Sequence, residues 1–156
     1  RLRDQGKFLS WGVSNCDVPD LDAAWKAGGE GRIACNQVLY NLGERATEPA
    51  VVPACGEHGV HSVAYSPFGH GDFPGPQTPG GRVLEEIAAD HGATARQVAL
   101  RFLVRRPSLF TIPKASSPEH AADNASAGAL RLTDAELVRI DTAFPLGPRP
   151  RRLPML

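Results

Sequence analysis

Polar side chains stand at the ends of four short apolar stretches of this sequence. The stretches read "WGVSN", "IACNQV", "VAYSP" and "TIPKASS", and their polar residues include Ser14, Asn15, Asn36, Gln37, Tyr65, Ser66 and Lys114. In parallel α/β folds, functional side chains collect at the carboxyl ends of the strands. If the four stretches are adjacent strands, these side chains line one cleft.

The polar groups of the first three stretches suit a carboxamide and a flat ring. Ser14, Asn15 and Gln37 offer donors and acceptors together, which matches a carboxamide such as that of nicotinamide. Tyr65 has a flat face for offset stacking on a ring. Each residue also has a structural interpretation. Ser14 and Asn15 are suited to capping a helix, Gln37 to a satisfied core amide and Tyr65 to core packing.

The fourth stretch suits a phosphate. Lys114 comes shortly before a predicted helix start, where free N–H groups near Ser116 and Ser117 would add donors. The alternative for Lys114 is an ordinary solvated lysine. Ser117 is expected to cap the helix in either case.

Apolar segments alternate with helical segments along the chain, which predicts βα units around a parallel sheet. Helices are expected near residues 18–26, with Asp17 as N-cap, and near 49–58. The predicted strands are Phe8–Val13, Ile33–Val38, Val60–Tyr65 and Ser108–Lys114. Four such units make half of an eight-stranded barrel or a small open sheet.

A segment rich in Gly and Pro, Ser66–Gly81, follows the third strand. It has no apolar period, so we expect a long functional loop. Ser117 and Thr133 are expected N-caps, and the tail 145–156 is expected to be irregular. Further helices are predicted over residues 82–92, 93–107, 117–130 and 133–144.

Composition excludes several classes of partner. The 156 residues are enough for one domain, predicted over residues 1–156, and the 17 acidic and 17 basic residues balance. This balance gives no electrostatic basis for binding nucleic acid or an anionic membrane, and no apolar stretch is long enough to span a bilayer. Three cysteines without a CxxC pattern predict neither disulfides nor a metal site, but the reduced thiols of a cytoplasmic protein.

The first residues, "RLRDQGKF", contain neither the apolar core of a secretory signal nor an initiator methionine. The sole methionine is Met155, and Arg1 is too large to follow a removed initiator. We therefore expect the chain to be a piece of a longer product.

In order, "WGVSN", "CNQVLYNL", "AYSPFG" and "IPKASSPEHAADN" resemble the C-terminal half of the aldo-keto reductase family, and its bacterial aldehyde and ketone reductases in particular. The four motifs span nearly the whole chain. The resemblance implies half of a (β/α)8 TIM barrel, with this chain supplying strands five to eight. It also implies NADPH as cofactor and a small carbonyl compound, an aldehyde or a ketone, as substrate.

The resemblance also implies where the cofactor lies. Ser14, Asn15 and Gln37 would hold the nicotinamide carboxamide, and Tyr65 would stack on the nicotinamide ring. The other implied contacts are Ser66, Phe68 and Gly69 along the pyrophosphate, Lys114, Ser116 and Ser117 around the adenosine 2′-phosphate, and Asp123 and Asn124 against adenine.

Three features depart from the family pattern. Cys16 stands where many members have Phe, and His120 stands where many have Arg. A neutral imidazole grips a 2′-phosphate less firmly than a forked guanidinium, so NAD stays an alternative to NADP. The stretch "GHGDFPGPQTPGG", residues 69–81, is richer in Gly and Pro than the family loop.

The family's catalytic tetrad of Asp, Tyr, Lys and His belongs to the other half of the barrel, so no catalytic residue is predicted here. Of the two tyrosines, Tyr65 fits ring stacking and Tyr40 lies in the non-catalytic stretch "VLYNL". Without a positioned acid, a rate contribution of ~10²–10⁴-fold is missing.

Half of a barrel has two unpaired strand edges and an uncovered apolar face. We therefore expect a chain that is marginal alone, pairs with a copy of itself or completes a barrel with another segment. The leading functional hypothesis is the cofactor-binding half of an NADP-dependent oxidoreductase. The alternatives are a non-catalytic scaffold, such as the regulatory β-subunits of potassium channels, and a different (β/α) protein with a phosphate site near Lys114.

Overall fold

A four-stranded parallel sheet forms the centre of the computed structural model, which describes residues 2–29, 31–148 and 150–156. The strands lie in chain order, and each pairs in parallel with its neighbours. They are β1 (Trp11–Ser14), β2 (Ile33–Leu39), β3 (His61–Tyr65) and β4 (Leu109–Thr111). The predicted α/β class is therefore confirmed, and the four carboxyl strand ends meet at one edge of the sheet.

Helices connect and follow the strands, and their starts obey the capping pattern. Asp17 and Asp20 form a capping box, as do Thr133 and Glu136, and the Ser117 side chain caps the helix before which it lies. The three predicted N-caps are thus confirmed. The helices are α1 (Val18–Gly28), α2 (Val51–Glu57), α3 (Pro79–His91), α4 (Ala95–Leu103), α5 (Pro118–Ser126) and α6 (Asp134–Ala143).

Three strands are shorter than predicted, and β3 differs only in that it begins at His61 instead of Val60. The first was predicted over Phe8–Val13 but begins at Trp11, because its partner strand begins at Ile33 and earlier residues have no neighbour to pair with. The last strand ends at Thr111. Pro113, which has no N–H, cannot extend the ladder.

Most helix bounds also differ from the prediction. α1 extends to Gly28, and α4 covers only Ala95–Leu103 of the predicted residues 93–107. α3 begins at Pro79, inside the predicted loop, because the Thr78 side chain accepts a hydrogen bond from Gly81 N–H and proline fits the first helical turn. α2 begins at Val51 rather than at residue 49. The helix predicted over residues 117–130 ends at Ser126 and continues as a short 3₁₀ turn.

The sheet has one buried face and one partly open face. Val38, Ala64 and Leu109 on the helix-covered face are at most 4% exposed. Phe110 on the opposite face is 50% exposed. The row that lies in register across this open face is Ser14, Gln37, Val63 and Phe110. Ser14 and Phe110 of this row are exposed, whereas Gln37 and Val63 are half-buried.

A buried ion cluster joins the segment after β2 to α4 and α6. Its largely buried members are Tyr40, Arg45, Glu48 and Arg105, and Asp141 of α6 joins it from the surface with a side chain that is 48% exposed. Glu48 accepts hydrogen bonds from Tyr40 Oη at 2.5 Å, Arg45 Nε at 2.7 Å and Arg105 at 2.8 Å. Arg45 also donates to Asp141 Oδ1 at 2.6 Å. Each charge in the interior therefore has a partner, as buried charges require.

The pairing fixes the protonation of this cluster. Burial alone would raise the pKa of Glu48, but hydrogen bonds from Arg45 and Tyr40 and the two arginine charges outweigh it and lower the pKa to about 2. Burial raises the pKa of Tyr40 well above its ordinary value, against the opposing charge of Arg105. At neutral pH, Glu48 is therefore ionised and Tyr40 keeps its proton.

Three further properties concern partners and cofactors. Within the described ranges, none of the helices combines the length and the hydropathy needed to cross a bilayer. The same residues contain no group of three side chains placed to hold a metal ion. Cys16, Cys35 and Cys55 are free thiols.

Candidate functional site

Side chains at the ends of β1, β2 and β3 form a hydrogen-bonded strand-end cluster of Ser14, Asn15, Gln37 and Tyr65. Asn15 Nδ2 donates to Ser14 Oγ, and Tyr65 Oη donates to Asn15 Oδ1, both at 3.1 Å. Ser14 Oγ and the Asn15 N–H donate to the Gln37 carbonyl at 3.1 Å and 2.8 Å. The structure therefore brings together the four residues that the sequence assigned to a carboxamide and a ring.

The backbone of this edge is unusual at two residues. Among the described residues other than glycine, Asn15 and Ser66 alone have positive φ angles, 55° and 51°. Asparagine adopts this left-handed region fairly readily, whereas serine seldom does. Such conformations cost roughly 1–3 kcal/mol and concentrate at functional sites. The strain therefore singles out the ends of β1 and β3.

Two neighbouring polar residues have structural roles. Asn36 points to the helix side of the sheet, where its side chain exchanges two hydrogen bonds with the backbone of Cys16, at 2.9 Å and 3.3 Å. These bonds fix the turn that carries Ser14 and Asn15. The N-cap of α1 is Asp17, so the interpretation of Ser14 and Asn15 as helix caps is wrong.

The segment after β3 makes a tight turn. The Gly69 N–H donates to the Ser66 carbonyl at 2.9 Å, and Asn41 Nδ2 donates to the same carbonyl at 3.2 Å. Gly69 has a φ of 73°, which glycine adopts without steric cost. The turn directs Phe68 into the two cavities described next.

The first cavity lies on the strand-end side of Phe68. It has a volume of about 310 Å³, and Leu39, Gly69 and Leu156 are among its lining residues. The tail folds back onto this region, where Leu156 N–H donates to Tyr65 Oη at 3.4 Å.

The second cavity, which we name the cationic cavity, has a volume of about 290 Å³. Gln97 Nε2 donates to Asp123 Oδ1 at 2.7 Å and to the Asp123 carbonyl at 3.0 Å, which fixes α4 against α5 at its wall. Five predicted site residues meet at this cavity, and Arg96 joins them. The lining residues are Phe68, Arg96, Lys114, His120, Asp123 and Asn124.

The two serines after Lys114 do not line the cationic cavity. Ser117 Oγ accepts a hydrogen bond from the His120 N–H at 3.2 Å, so it is engaged as the N-cap of α5. Lys114 is exposed and forms no ion pair with another described residue. A phosphate role for Ser116 and Ser117 therefore stays a prediction, while Lys114 has a free charge beside a cavity.

The two cavities adjoin because Phe68 lines both. The strand-end cluster borders the first cavity through Leu156, which lines that cavity and donates to Tyr65 Oη, and none of the four cluster side chains lines either cavity. We call the region from the strand-end cluster to the cationic cavity the groove. A ligand with a planar amide at one end and an anionic group at the other fits this sequence of groups.

Sequence reasoning missed two residues of this region. Arg96 enters the cationic cavity from α4, and Leu156 reaches the strand-end side from the tail. Neither lies in a recognisable motif, and no periodicity in the sequence indicated that α4 packs beside Lys114. Only the three-dimensional packing could reveal them.

The sequence comparisons assign the family. A profile described as the Aldo/keto reductase family matches residues 1–144. Methylglyoxal reductase YeaE of Escherichia coli (strain K12) is 36% identical over 145 residues, which are 93% of this chain and 51% of that protein. Pyridoxine 4-dehydrogenase of the same organism is 35% identical over 141 residues, 90% of this chain and 46% of that protein. The chain thus belongs to the aldo/keto reductase family and spans about half the length of these relatives.

Solved structures agree with this assignment. An aldo-keto reductase from Klebsiella pneumoniae in complex with NADPH matches with a TM-score of 0.88 and 36% identity, over 99% of this chain and 55% of that one. The thermostable aldo-keto reductase Tm1743, in complex with the inhibitor epalrestat, matches with a TM-score of 0.82 and 36% identity, over 91% of this chain and 51% of that one. The arrangement of sheet and helices is therefore that of about half of an aldo-keto reductase.

Proposed function

We propose that this chain is the cofactor-binding half of an NADP(H)-dependent reductase of aldehydes or ketones. The observation that supports this proposal most strongly is the strand-end cluster, in which hydrogen bonds link Ser14, Asn15 and Tyr65 next to Gln37. The cationic cavity at the other end of the groove provides a place for a phosphate. The structural relative from Klebsiella pneumoniae, solved with NADPH, supports the choice of cofactor.

The proposed contacts follow the groove. Ser14, Asn15 and Gln37 hold the carboxamide, and Tyr65 stacks on the nicotinamide ring. Hydrogen bonds from the amide and hydroxyl groups fix which face of the ring points outward. The remaining proposed contacts are Ser66, Phe68 and Gly69 with the pyrophosphate, Lys114, Ser116, Ser117 and His120 with the 2′-phosphate, and Asp123 and Asn124 with adenine.

The chain corresponds, in this proposal, to strands five to eight of the (β/α)8 barrel. The support is the order of the motifs, since the amide-binding, ring-stacking and phosphate-binding residues follow β1, β2, β3 and β4 in sequence. The open sheet face agrees with it, because in a complete barrel that face lies inside. Self-association or a complementary half-barrel would cover it.

The proton for the reaction comes from outside this chain. Bound NADPH supplies a hydride to the carbonyl carbon, and the carbonyl oxygen then needs a proton. Tyr40 cannot provide it, because its hydroxyl is buried against Glu48 and Arg105. Tyr65 Oη is bonded to Asn15, and its ring is assigned to the nicotinamide. The residues described here therefore bind and orient the cofactor, and the other half of the barrel provides the acid.

A non-catalytic nucleotide-binding relative is the second candidate, and the engagement of both tyrosines favours it for the isolated chain. Upstream residues distinguish the two candidates. A Tyr with Asp, Lys and His at the family spacing in the same product supports the enzyme, and their absence supports the scaffold. A cytoplasmic location belongs to the same proposal and is supported by the three free thiols.

Titration of the purified chain with NADPH tests the proposal. We expect quenching of the emission of Trp11 and Trp25, with saturation, and no turnover of methylglyoxal at saturating NADPH. Tyr65→Ala should weaken binding, whereas Lys26→Met, an exposed change on α1, should leave it unchanged. Absence of saturable binding in a folded chain contradicts the proposal, and turnover of methylglyoxal contradicts the external acid.

A further inference from the structure

Arg96 is the member of the cationic cavity that no sequence motif indicated. It lies in the first turn of α4, and its side chain is exposed. Its guanidinium carbon lies 4.9 Å from the centre of the Phe68 ring and 4.7 Å from that of Phe73. The two rings meet edge to face, with centroids 5.7 Å apart. A cation thus lies over two aromatic faces at the wall of a cavity.

The two rings restrict the guanidinium before any ligand arrives. Arginine normally loses rotamer freedom when it binds, and contacts made in advance reduce that loss. Arg96 forms neither a hydrogen bond nor an ion pair with another described residue, so its N–H groups are available. The Arg96 guanidinium is therefore held in one orientation by the two rings and has no anionic partner among the described residues.

The charges around the cavity favour an anionic ligand. Arg96 and Lys114 are basic side chains, and His120 adds an imidazole. The carboxylate in the lining, Asp123, accepts a hydrogen bond from Gln97 at 2.7 Å. The lining therefore contains more basic than acidic side chains. The cavity would suit a phosphate that pairs with the forked guanidinium of Arg96 and with the compact ammonium group of Lys114.

We propose that Arg96 binds the 2′-phosphate of the cofactor together with Lys114 and thereby sets a preference for NADP over NAD. This inference rests on the proposed function and extends it. The guanidinium fork pairs with two phosphate oxygens, and the ammonium group adds a point charge. Arg96 thus supplies the forked geometry that His120 lacks.

Two small ligands that differ only in the 2′-phosphate isolate this contact. Adenosine 2′,5′-bisphosphate and 5′-AMP are titrated calorimetrically into the full chain and its variants. We expect Arg96→Met to lower the affinity for the bisphosphate by ~10-fold or more, because a charge-assisted pair is lost. The affinity for 5′-AMP should stay unchanged, and Arg96→Lys should give an intermediate loss for the bisphosphate.

Arg101→Met is the matched control. Arg101 lies on the same helix but outside the cavity lining, so its removal changes the net charge equally. It should keep wild-type affinity for both ligands. The bisphosphate affinity of Arg96→Met should also fall less steeply with salt than that of the wild type, because one cation contact is missing.

Four outcomes contradict the inference, and one of them also contradicts the proposed function. Equal losses for both ligands mean that Arg96 packs against adenine. Unchanged bisphosphate affinity means that its contacts with the rings are structural. An equal loss in Arg101→Met means that net charge acts without a specific pair. If the folded wild-type chain binds neither nucleotide and no NADPH, the proposed function fails and the inference fails with it. Circular dichroism of each variant verifies folding.

Discussion

The buried ion cluster and the strand-end cluster both consist of polar side chains joined by hydrogen bonds, but they differ in their exposure to solvent. In the ion cluster, Glu48 accepts hydrogen bonds from Tyr40, Arg45 and Arg105, and its side chain is 5% exposed. In the strand-end cluster, Ser14 is exposed and Gln37 and Tyr65 are half-buried. The first cluster is closed on itself, whereas the second faces a groove.

This difference separates structural from functional polarity. A buried charge must be paired by the protein itself, since water cannot reach it. Polar groups at an open edge keep some of their donors and acceptors for water or for a ligand. Gln37 and Lys114 are examples, because their side chains form no hydrogen bond with another described residue. The comparison predicts that changes in the ion cluster affect folding and that changes at the groove affect binding.

Glu48→Gln should cause the largest effect. It leaves Arg105 without its counter-charge and Arg45 with the more exposed Asp141 as its remaining anion, and the free energy of unfolding should fall by ~3 kcal/mol. Urea denaturation followed by circular dichroism measures it. Glu86→Gln is the control, since the Glu86–Arg139 pair is on the surface and should contribute less than ~1 kcal/mol. Equal losses in both variants would contradict a special role for burial.

Acid should weaken the wild-type fold through the same carboxylate. Its pKa is lowered in the folded chain from an ordinary 4.5 to about 2, so its stabilising effect is complete above pH 4.5 and is lost as the pH falls towards 2. The free energy of unfolding, measured at intervals across this range, should fall more steeply for the wild type than for Glu48→Gln. Parallel curves would show that Glu48 does not carry the acid sensitivity.

Lys114→Met should act on binding and not on folding. NADPH should bind ~10-fold more weakly, because a charge-assisted contact with the 2′-phosphate is lost. NADH, which lacks that phosphate, should lose little affinity, and the urea midpoint should not change. Fluorescence titration with both nucleotides measures the difference. Equal losses of affinity for NADPH and NADH would show that Lys114 does not contact the 2′-phosphate.

Tyr65→Ala should give the smallest of these effects. Stacking contributes about 0.5–1.5 kcal/mol, so NADPH and NADH should both bind ~2- to 10-fold more weakly. Tyr65→Phe keeps the ring and loses the hydrogen bond to Asn15, and it should bind nearly as the wild type does. If Tyr65→Phe loses as much affinity for the nucleotides as Tyr65→Ala does, the hydroxyl group and not the ring face makes the contact with the cofactor.

Much of the fold could be predicted because it depends on local patterns. Apolar runs locate the four strands, and Asp17, Ser117 and Thr133 mark helix starts through side-chain oxygens that satisfy free N–H groups. Strand bounds were less accurate, because the start of β1 depends on where β2 offers a partner.

The site was predictable only where motifs carry it. Strand-end polarity indicated Asn15, Tyr65 and Lys114, since parallel strands bring their carboxyl ends together. The same pattern could not distinguish Gln37 from Asn36. Gln37 lies on the open face of the sheet, whereas Asn36 forms hydrogen bonds with the backbone of Cys16. Arg96 also had no local signal, because its place beside Lys114 results from the packing of α4 against α5.

A crystal structure of the chain with NADP⁺ tests the central claim most directly. We expect one dinucleotide in the groove, with its carboxamide against Ser14, Asn15 and Gln37 and its 2′-phosphate in the cationic cavity. A cofactor bound on another surface would contradict this claim. So would two separate molecules, one at the strand-end cluster and one in the cationic cavity.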